Sequence, residues 1–312
     1  MKKYFFGTLW FNSSCPLDCG YCGAKNILPI GNKSVEKWKE LIEYLAPVTE
    51  EFILMGREVL LYPDLLEIIN YIKNIGSTHI LITSGLGDDI LFKELVQNIY
   101  HHIFVMSLDG LEEKYCEDQS SFLKSLKAKE IIESGAVKAK AKLVSCVLTS
   151  KNVDHVLDLY NYCVKWGWRL TIAALIKPTN NNYRKYDPYS DYKDREYFKK
   201  AAKVFKAILS KENWWDVMGP NHEYLKTMSR LNSNIKWNCS KCRTYTILPD
   251  HSFSPCSIGI NKAALMNNSY KILRDDSVAV EKFLSEYNKI CGGCLSDCAF
   301  VSEYGRGGSK PI

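Results

Sequence analysis

A chain of 312 residues, 46% apolar and 24% charged, has the composition of a globular protein with a full core, and neither disorder nor a membrane class is indicated. Its 41 basic residues against 35 acidic give a net charge of +6, but the lysines are spread along helical stretches. The excess therefore reads as solvated surface rather than a nucleic-acid footprint, and an anionic substrate stays open.

The first strand is expected at Phe5–Phe11, and the residues around it carry no long apolar region with a small-residue cleavage site, so no signal peptide and a cytoplasmic location are expected. Then come a helix over Ser34–Leu45, a strand over Glu51–Met55, a helix over Pro63–Ile75 and a strand over His79–Ile82. These apolar runs are far short of the roughly 20 residues of a membrane helix. The alternation continues with a helix at Ile90–Tyr100, a strand at His102–Leu108, a helix at Ser121–Ser134, a strand at Lys140–Val147, a helix at Val153–Trp166 and a strand at Arg169–Ile176. Apolar spacings of three and four mark the helices, and Asp64 and Asp154 fall in first turns, where the helix dipole favours an anion. Such βα repeats build a parallel sheet. Six units are fewer than a closed eight-stranded barrel needs, so the expected α/β fold is a partial TIM-like (β/α)6 barrel, with an open doubly wound sheet as the alternative.

After Lys177 the stretch 178–194 is rich in Asn, Tyr, Pro and Asp and reads as an irregular loop able to fold over a site. A helix over Arg195–Leu209 follows, and then a Cys-rich tail in which Tyr245–Leu248 and Phe253–Pro255 flank a turn and suggest a hairpin. We divide the chain into a barrel domain, 1–215, and a small Cys-rich domain, 216–312.

Twelve cysteines without a secretion signal point to metal binding rather than disulfides. Cys15, Cys19 and Cys22 follow the first strand directly, on the loop at the C-terminal face where barrel active sites are built. Three thiolates can hold three irons of a 4Fe-4S cube and leave the fourth open to a ligand. Structural zinc wants four closed ligands, and no fourth Cys or His lies within twenty residues of Cys22. Pro16 and Gly20 suit a loop bent around an inorganic group, and Tyr21 offers a flat ring beside it.

These residues resemble the CxxxCxxC signature of the radical S-adenosylmethionine (SAM) superfamily, in which an aromatic residue precedes the last cysteine. The resemblance implies a SAM-binding 4Fe-4S cluster on Cys15, Cys19 and Cys22 and a one-electron reductant such as flavodoxin or ferredoxin. In that family the open iron is chelated by the cofactor's amino and carboxylate groups, and reductive cleavage gives a 5'-deoxyadenosyl radical that abstracts hydrogen from carbon. Gly56-Arg57-Glu58-Val59-Leu60 stands where the family has GGEPL, with Arg57 and Val59 departing from it and Glu58 keeping the acceptor for the cofactor's ammonium group. Thr83-Ser84-Gly85 matches TNG, and Ser107-Leu108-Asp109-Gly110 matches the family's fourth-strand motif. The implied cofactor contacts are thus Tyr21, Gly56, Glu58, Thr83, Ser84, Ser107 and Asp109.

Six more cysteines, Cys239, Cys242, Cys256, Cys291, Cys294 and Cys298, fall in the tail. Spacing alone allows a zinc ribbon. The run Thr246–Cys256 is similar to the hairpin of SPASM and twitch extensions in this superfamily, which implies an auxiliary 4Fe-4S cluster. Its implied ligands are Cys242, Cys256 and two of Cys291, Cys294 and Cys298, with Cys239 either substituting for one of them or free, and a spare thiol, Cys239 or Cys298, is a candidate hydrogen donor to a substrate radical. Two incomplete clusters are conceivable.

The scattered histidines lack metal-ligand spacing and receive no role; Trp166, Trp168, Trp214 and Trp215 read as core or interface, and Cys116 as an inert thiol. The resemblance implies an enzyme that crosslinks, epimerises or oxidises a peptide or peptide-like natural product. Against this, only fourteen residues precede Cys15, which leaves no room for an appended leader-peptide domain. The alternatives are oxidation or epimerisation of a small sugar or aminocyclitol and, from another class, a zinc-dependent RNA-binding protein.

Overall fold

The computed structural model of the protein describes residues 4–22, 33–174, 195–218, 222–230, 243–254 and 270–290. Strands β1 (Tyr4–Trp10), β2 (Thr49–Met55), β3 (Thr78–Thr83), β4 (His101–Ser107), β5 (Ala139–Leu148) and β6 (Arg169–Ala174) alternate with helices α1 (Val35–Leu45), α2 (Leu65–Asn74), α3 (Asp89–Gln97), α4 (Gln119–Ser134) and α5 (Val156–Trp166). The strands lie side by side in chain order, each parallel to the next. Crossovers of one hand that never reverse direction put every helix on one face. A doubly wound sheet needs a reversal, so the order β6-β5-β4-β3-β2-β1 is that of a singly wound, partial-barrel sheet.

Local sequence explains the helices. In α1, Val35, Trp38, Leu41, Ile42 and Leu45 are buried at successive spacings of three, three, one and three, a core-facing stripe. Helix α4 opens on a capping box, with Asp118 and Ser121 each satisfying the other's backbone N–H, and ends on Gly135 at φ 66°. Asp64, expected in a first turn, is the N-cap of α2 without a side-chain hydrogen bond, and a 3-10 turn at Val153–His155 precedes α5.

Strand alternation separates two faces. On the helix-covered face Leu54, Leu81, Phe104, Met106, Val144, Cys146, Leu170 and Ile172 join the main core. On the inner face Ile80, Ile103, Val105, Ala141 and Leu143 form a smaller cluster with the half-buried Phe6, Ile53 and Ile82.

The expected hairpin exists as β7 (Thr244–Ile247) and β8 (Phe253–Ser254), and it extends the same sheet, with β7 parallel to β1 and β8 antiparallel to β7. Gly7 makes this docking possible: a Cβ there would sit 2.3 Å from the Tyr245 hydroxyl oxygen. That hydroxyl shares a 2.8 Å hydrogen bond with Thr49 Oγ1. Helix α6 (Arg195–Leu209) is tied to β5 by Tyr197, whose hydroxyl donates to Leu148 O at 2.9 Å. Short helices α7 (Trp214–Val217), α8 (His222–Met228) and α9 (Ile272–Asp275) and the longer α10 (Ser277–Ile290) complete the described elements. Among the described residues no helix is long and apolar enough to cross a membrane. Cys239, Cys242, Cys256, Cys291, Cys294 and Cys298 and the loop at 178–194 lie outside the described residues.

Candidate active site

The loop carrying Cys15, Cys19 and Cys22 leaves the C-terminal end of β1 and is fastened on two sides. Toward β2, Arg57 N–H donates to Asn12 O at 3.2 Å and Glu58 N–H to Ser14 O at 3.0 Å. The Arg57 guanidinium then donates to Ser13 O and to Leu17 O, both at 3.3 Å, and Asn12 Nδ2 returns a 2.8 Å bond to Glu58 O. Gly56 is needed where it stands, since a Cβ would lie 2.9 Å from Asn12 Oδ1.

Toward α4, Asp18 N–H donates to Ser120 Oγ at 3.0 Å and Gly20 N–H to the Asp118 carboxylate. The Tyr21 hydroxyl donates to Asp109 and accepts from Lys124, and Lys124 Nζ lies 2.7 Å from Asp109 Oδ2, so the three close a triangle. Asp109 Oδ1 accepts a further bond from Val147 N at 3.0 Å. Asp109 and Lys124 are 3% and 5% exposed, deep enough that neither charge is tolerable without the other. Burial opposes the Lys124 charge, yet Asp109 and the Cys19 thiol beside it hold its ammonium above the usual range. Burial pushes the Tyr21 phenol well up.

Cys15 Sγ accepts from Leu17 N at 3.4 Å, and Cys22 N–H closes a turn onto Cys19 O at 3.0 Å. Burial raises the Cys15 thiol, with the Leu17 N–H and Arg57 opposing, and pushes the Cys19 thiol up to about 12, with Lys124 opposing. A bare thiol held at about 12 stays protonated at neutral pH, and a metal that binds Cys19 must displace its proton. None is in a disulfide. Among the described residues no three Cys, His, Asp or Glu groups converge closely enough for one metal ion. Three separate thiols on one loop suit a cluster with an iron for each thiol better than a closed single-ion site, so the donor set fits the group expected from the sequence.

The other expected contacts fall into two groups. Glu58, 2% exposed, has Leu60 N and the Thr83 hydroxyl on Oε1 and the Ser84 N–H and hydroxyl on Oε2. Four donors fill the four lone-pair sites of a carboxylate. Burial raises its pKa and these donors oppose the rise. Glu58, Thr83 and Ser84 thus form one knot at the ends of β2 and β3, with Gly56 beside it. Asp109 belongs to the second group, with Tyr21 and Lys124. Ser107, half-buried at the end of β4, makes no hydrogen bond to either group among the described residues and lies in register with Ser145.

Cys116 and Cys146 are buried behind this site. Cys116 Sγ lies 3.7 Å from Ser125 Oγ and Cys146 Sγ 3.7 Å from Asp109 O, and burial raises both thiols. Arg57, Asp118, Ser120 and Lys124 are the residues that sequence reading did not assign. Asp118 had a local signal, an N-cap three residues before Ser121; Lys124 had none.

Residues 11–163 match the family model described as the radical SAM superfamily. The match supports membership of that superfamily. A curated relative from Methanococcus aeolicus, "Probable GTP 3',8-cyclase", is 26% identical over 252 residues, covering 78% of this chain and 81% of its own. Among solved structures, native anSMEcpe with bound AdoMet and Kp18Cys peptide has a TM-score of 0.63 at 18% identity, over 91% of this chain and 81% of that one. Streptococcus suis SuiB bound to precursor peptide SuiA has a TM-score of 0.62 at 14% identity, over 89% of this chain and 65% of that one. These likenesses show a shared fold.

Proposed function

We propose that this protein is a radical SAM enzyme that cleaves S-adenosylmethionine reductively and abstracts hydrogen from a peptide or peptide-like natural product, as an oxidoreductase or maturase. The observation that carries the reading is the loop of Cys15, Cys19 and Cys22 at the end of β1, braced by Arg57 on one side and by the Tyr21–Asp109–Lys124 triangle on the other. When bound, a 4Fe-4S cluster supplies the electron and the open iron for cofactor cleavage. The chain's own work is to fix the spacing of the thiols and to keep their surroundings buried. Gly56, Glu58, Thr83, Ser84, Ser107 and Asp109 border the space in which SAM would lie. Glu58 receives the cofactor's ammonium only if a Thr83 or Ser84 hydroxyl turns away.

Substrate class rests on two structures that share the fold and hold peptides, SuiB with precursor peptide SuiA and anSMEcpe with the Kp18Cys peptide. The Methanococcus aeolicus relative favours a second reading, a nucleoside triphosphate substrate. In our reading the Cys-rich tail, docked on the sheet through its hairpin, holds an auxiliary 4Fe-4S cluster through Cys242, Cys256 and two of Cys291, Cys294 and Cys298, with Cys239 or Cys298 as hydrogen donor. The first test is anaerobic reconstitution, dithionite reduction and an assay for 5'-deoxyadenosine. Wild type makes it, and Cys15→Ala, Cys19→Ala or Cys22→Ala abolishes it; production by any of these variants overturns the assignment.

A further inference from the structure

Two bonds fasten the cysteine loop to the start of α4 on either side of Cys19: Asp18 N–H donates to Ser120 Oγ at 3.0 Å and Gly20 N–H to the Asp118 carboxylate. Cys19 itself is buried. About one helical turn beyond Ser120 stands Lys124, also buried, with Nζ 2.7 Å from Asp109 Oδ2, a bond to the Tyr21 hydroxyl and the Tyr21 ring centroid 4.9 Å away. The fastening alone does not require this charge. Tyr21 has its acceptor in Asp109 without it, and a buried ion pair exchanged as a whole for apolar groups is often neutral or stabilising. The pair is unequal toward Cys19: burial raises that thiol, Lys124 acts most strongly of the charged neighbours and opposes the rise, and Asp118 and Asp109 act more weakly and add to it. In return, burial opposes the Lys124 charge, and Asp109 and Cys19 outweigh it.

We propose that Lys124 is a positioning residue acting through Cys19: its fixed ammonium, anchored by Asp109, raises the one-electron reduction potential of a cluster held by the loop, and this deepens the enzyme reading above and rests on it. Reduction adds one negative charge to the metal group and its thiolates, so a nearby cation favours the reduced state and a nearby carboxylate opposes it. Mobile ions screen a buried pair poorly, which leaves the field of Lys124 at Cys19 largely intact. At an effective dielectric constant of about 20, a unit charge roughly 10 Å from the added electron changes the reduction equilibrium about tenfold. For a one-electron couple that is about 59 mV. Asp109 then has two tasks, to keep the lysine charged and to hold it in place, and its own field subtracts from the effect. Lys124 and Asp109 should therefore move the potential in opposite directions, which a purely structural cross-link does not do.

The test is a redox titration of the reconstituted full chain with dithionite and low-potential viologen mediators, followed by electron paramagnetic resonance. The signal of the loop cluster is the one missing from the triple variant Cys15→Ala, Cys19→Ala, Cys22→Ala. Lys124→Met is expected to lower its midpoint by about 59 mV, a tenfold loss in the reduction equilibrium, Asp109→Asn to raise it, and Lys124→Arg to keep it near the wild-type value. The double variant Lys124→Met with Asp109→Asn removes both charges and should fall below wild type by less than Lys124→Met does, because Lys124 outweighs Asp109 at Cys19. If Lys124→Met does not fold, Asp109→Asn and the double variant decide alone, one above wild type and the other below. A wild-type midpoint in Lys124→Met or in the double variant, or shifts of one sign in both single variants, overturns the proposal. Failure of the underlying enzyme reading looks different: reconstituted wild type then shows no signal that the triple variant lacks, and the proposal falls with it.

Discussion

Lys124 shows how much of the site depends on single buried charges. Its ammonium is within 2.7 Å of Asp109, donates to Tyr21 and lies 4.9 Å from the Tyr21 ring centroid, so one side chain fixes both the carboxylate and the aromatic residue that precedes Cys22. Removing one partner of a buried pair leaves the other charge uncompensated, at a cost of about 3 kcal/mol. Lys124→Met keeps the stem volume and removes the charge. We expect its unfolding free energy from urea titration at pH 7 to fall by that amount, and a wild-type value would mean that the triangle does not hold the fold. Asp109 was readable from its Ser-Leu-Asp-Gly motif, but its partner was not, because a lysine on a helix looks like surface until the helix is docked. Arg57 was legible only as a departure from a glycine. That it braces the loop through Ser13 O and Leu17 O depends on the parallel pairing of β1 with β2, which brings the segments after both strands together and is not specified locally.

Elements were far more legible than contacts. Apolar periodicity marked β1 to β6 and α1 to α6 with ends off by a few residues, because each element's pattern is set by which face it buries. The hairpin β7–β8 was also readable from its turn residues, but its edge was not, since nothing local to Thr244–Ile247 names β1 as a partner; the contact is encoded in the fit of Tyr245 over Gly7. A second long-range link, between β3 and β4, gives a prediction. His79 Nε2 and His101 Nδ1 are 3.0 Å apart, and His101 Nε2 reaches Leu95 O at 2.9 Å, all buried. Burial, with the charge of its His101 neighbour adding to it, holds His79 down to about 3, and burial holds His101 down to about 4. The unfolded chain takes up protons as pH falls through about 6.5, and the folded chain does so only near these lower values. Stability is therefore full above pH 6.5 and is lost on acidification toward pH 4, on the order of 3 kcal/mol between pH 7 and 5 for the two groups together. Urea midpoints at those two pH values should separate for wild type and draw closer in His79→Gln; equal separations in both proteins would show that His79 does not titrate as the buried geometry requires.

For the whole molecule, the question is whether the fold depends on the group that the cysteine loop is proposed to hold. Protein groups fasten the loop along its length: Arg57 on Ser13 and Leu17, Ser120 on Asp18, Asp118 on Gly20, and Asp109 with Lys124 on Tyr21. The large buried core lies on the other side of the sheet, under the helices. A zinc finger unfolds without its metal because its ligands are its core, whereas here the ligand loop sits on a sheet that is already closed by apolar packing. The triple variant Cys15→Ala, Cys19→Ala, Cys22→Ala should thus keep wild-type helical circular dichroism and melt within a few degrees of the metal-free wild type. Its iron content should fall from about eight per chain to about four if the tail carries the second cluster. Binding to the native state alone adds stability by mass action, about 2.7 kcal/mol at a hundredfold excess over the dissociation constant, so reconstituted wild type should melt above both metal-free forms. A triple variant that fails to fold would place the cluster in the folding nucleus rather than on a finished scaffold, and one that retains all its iron would move the proposed metal site off this loop altogether.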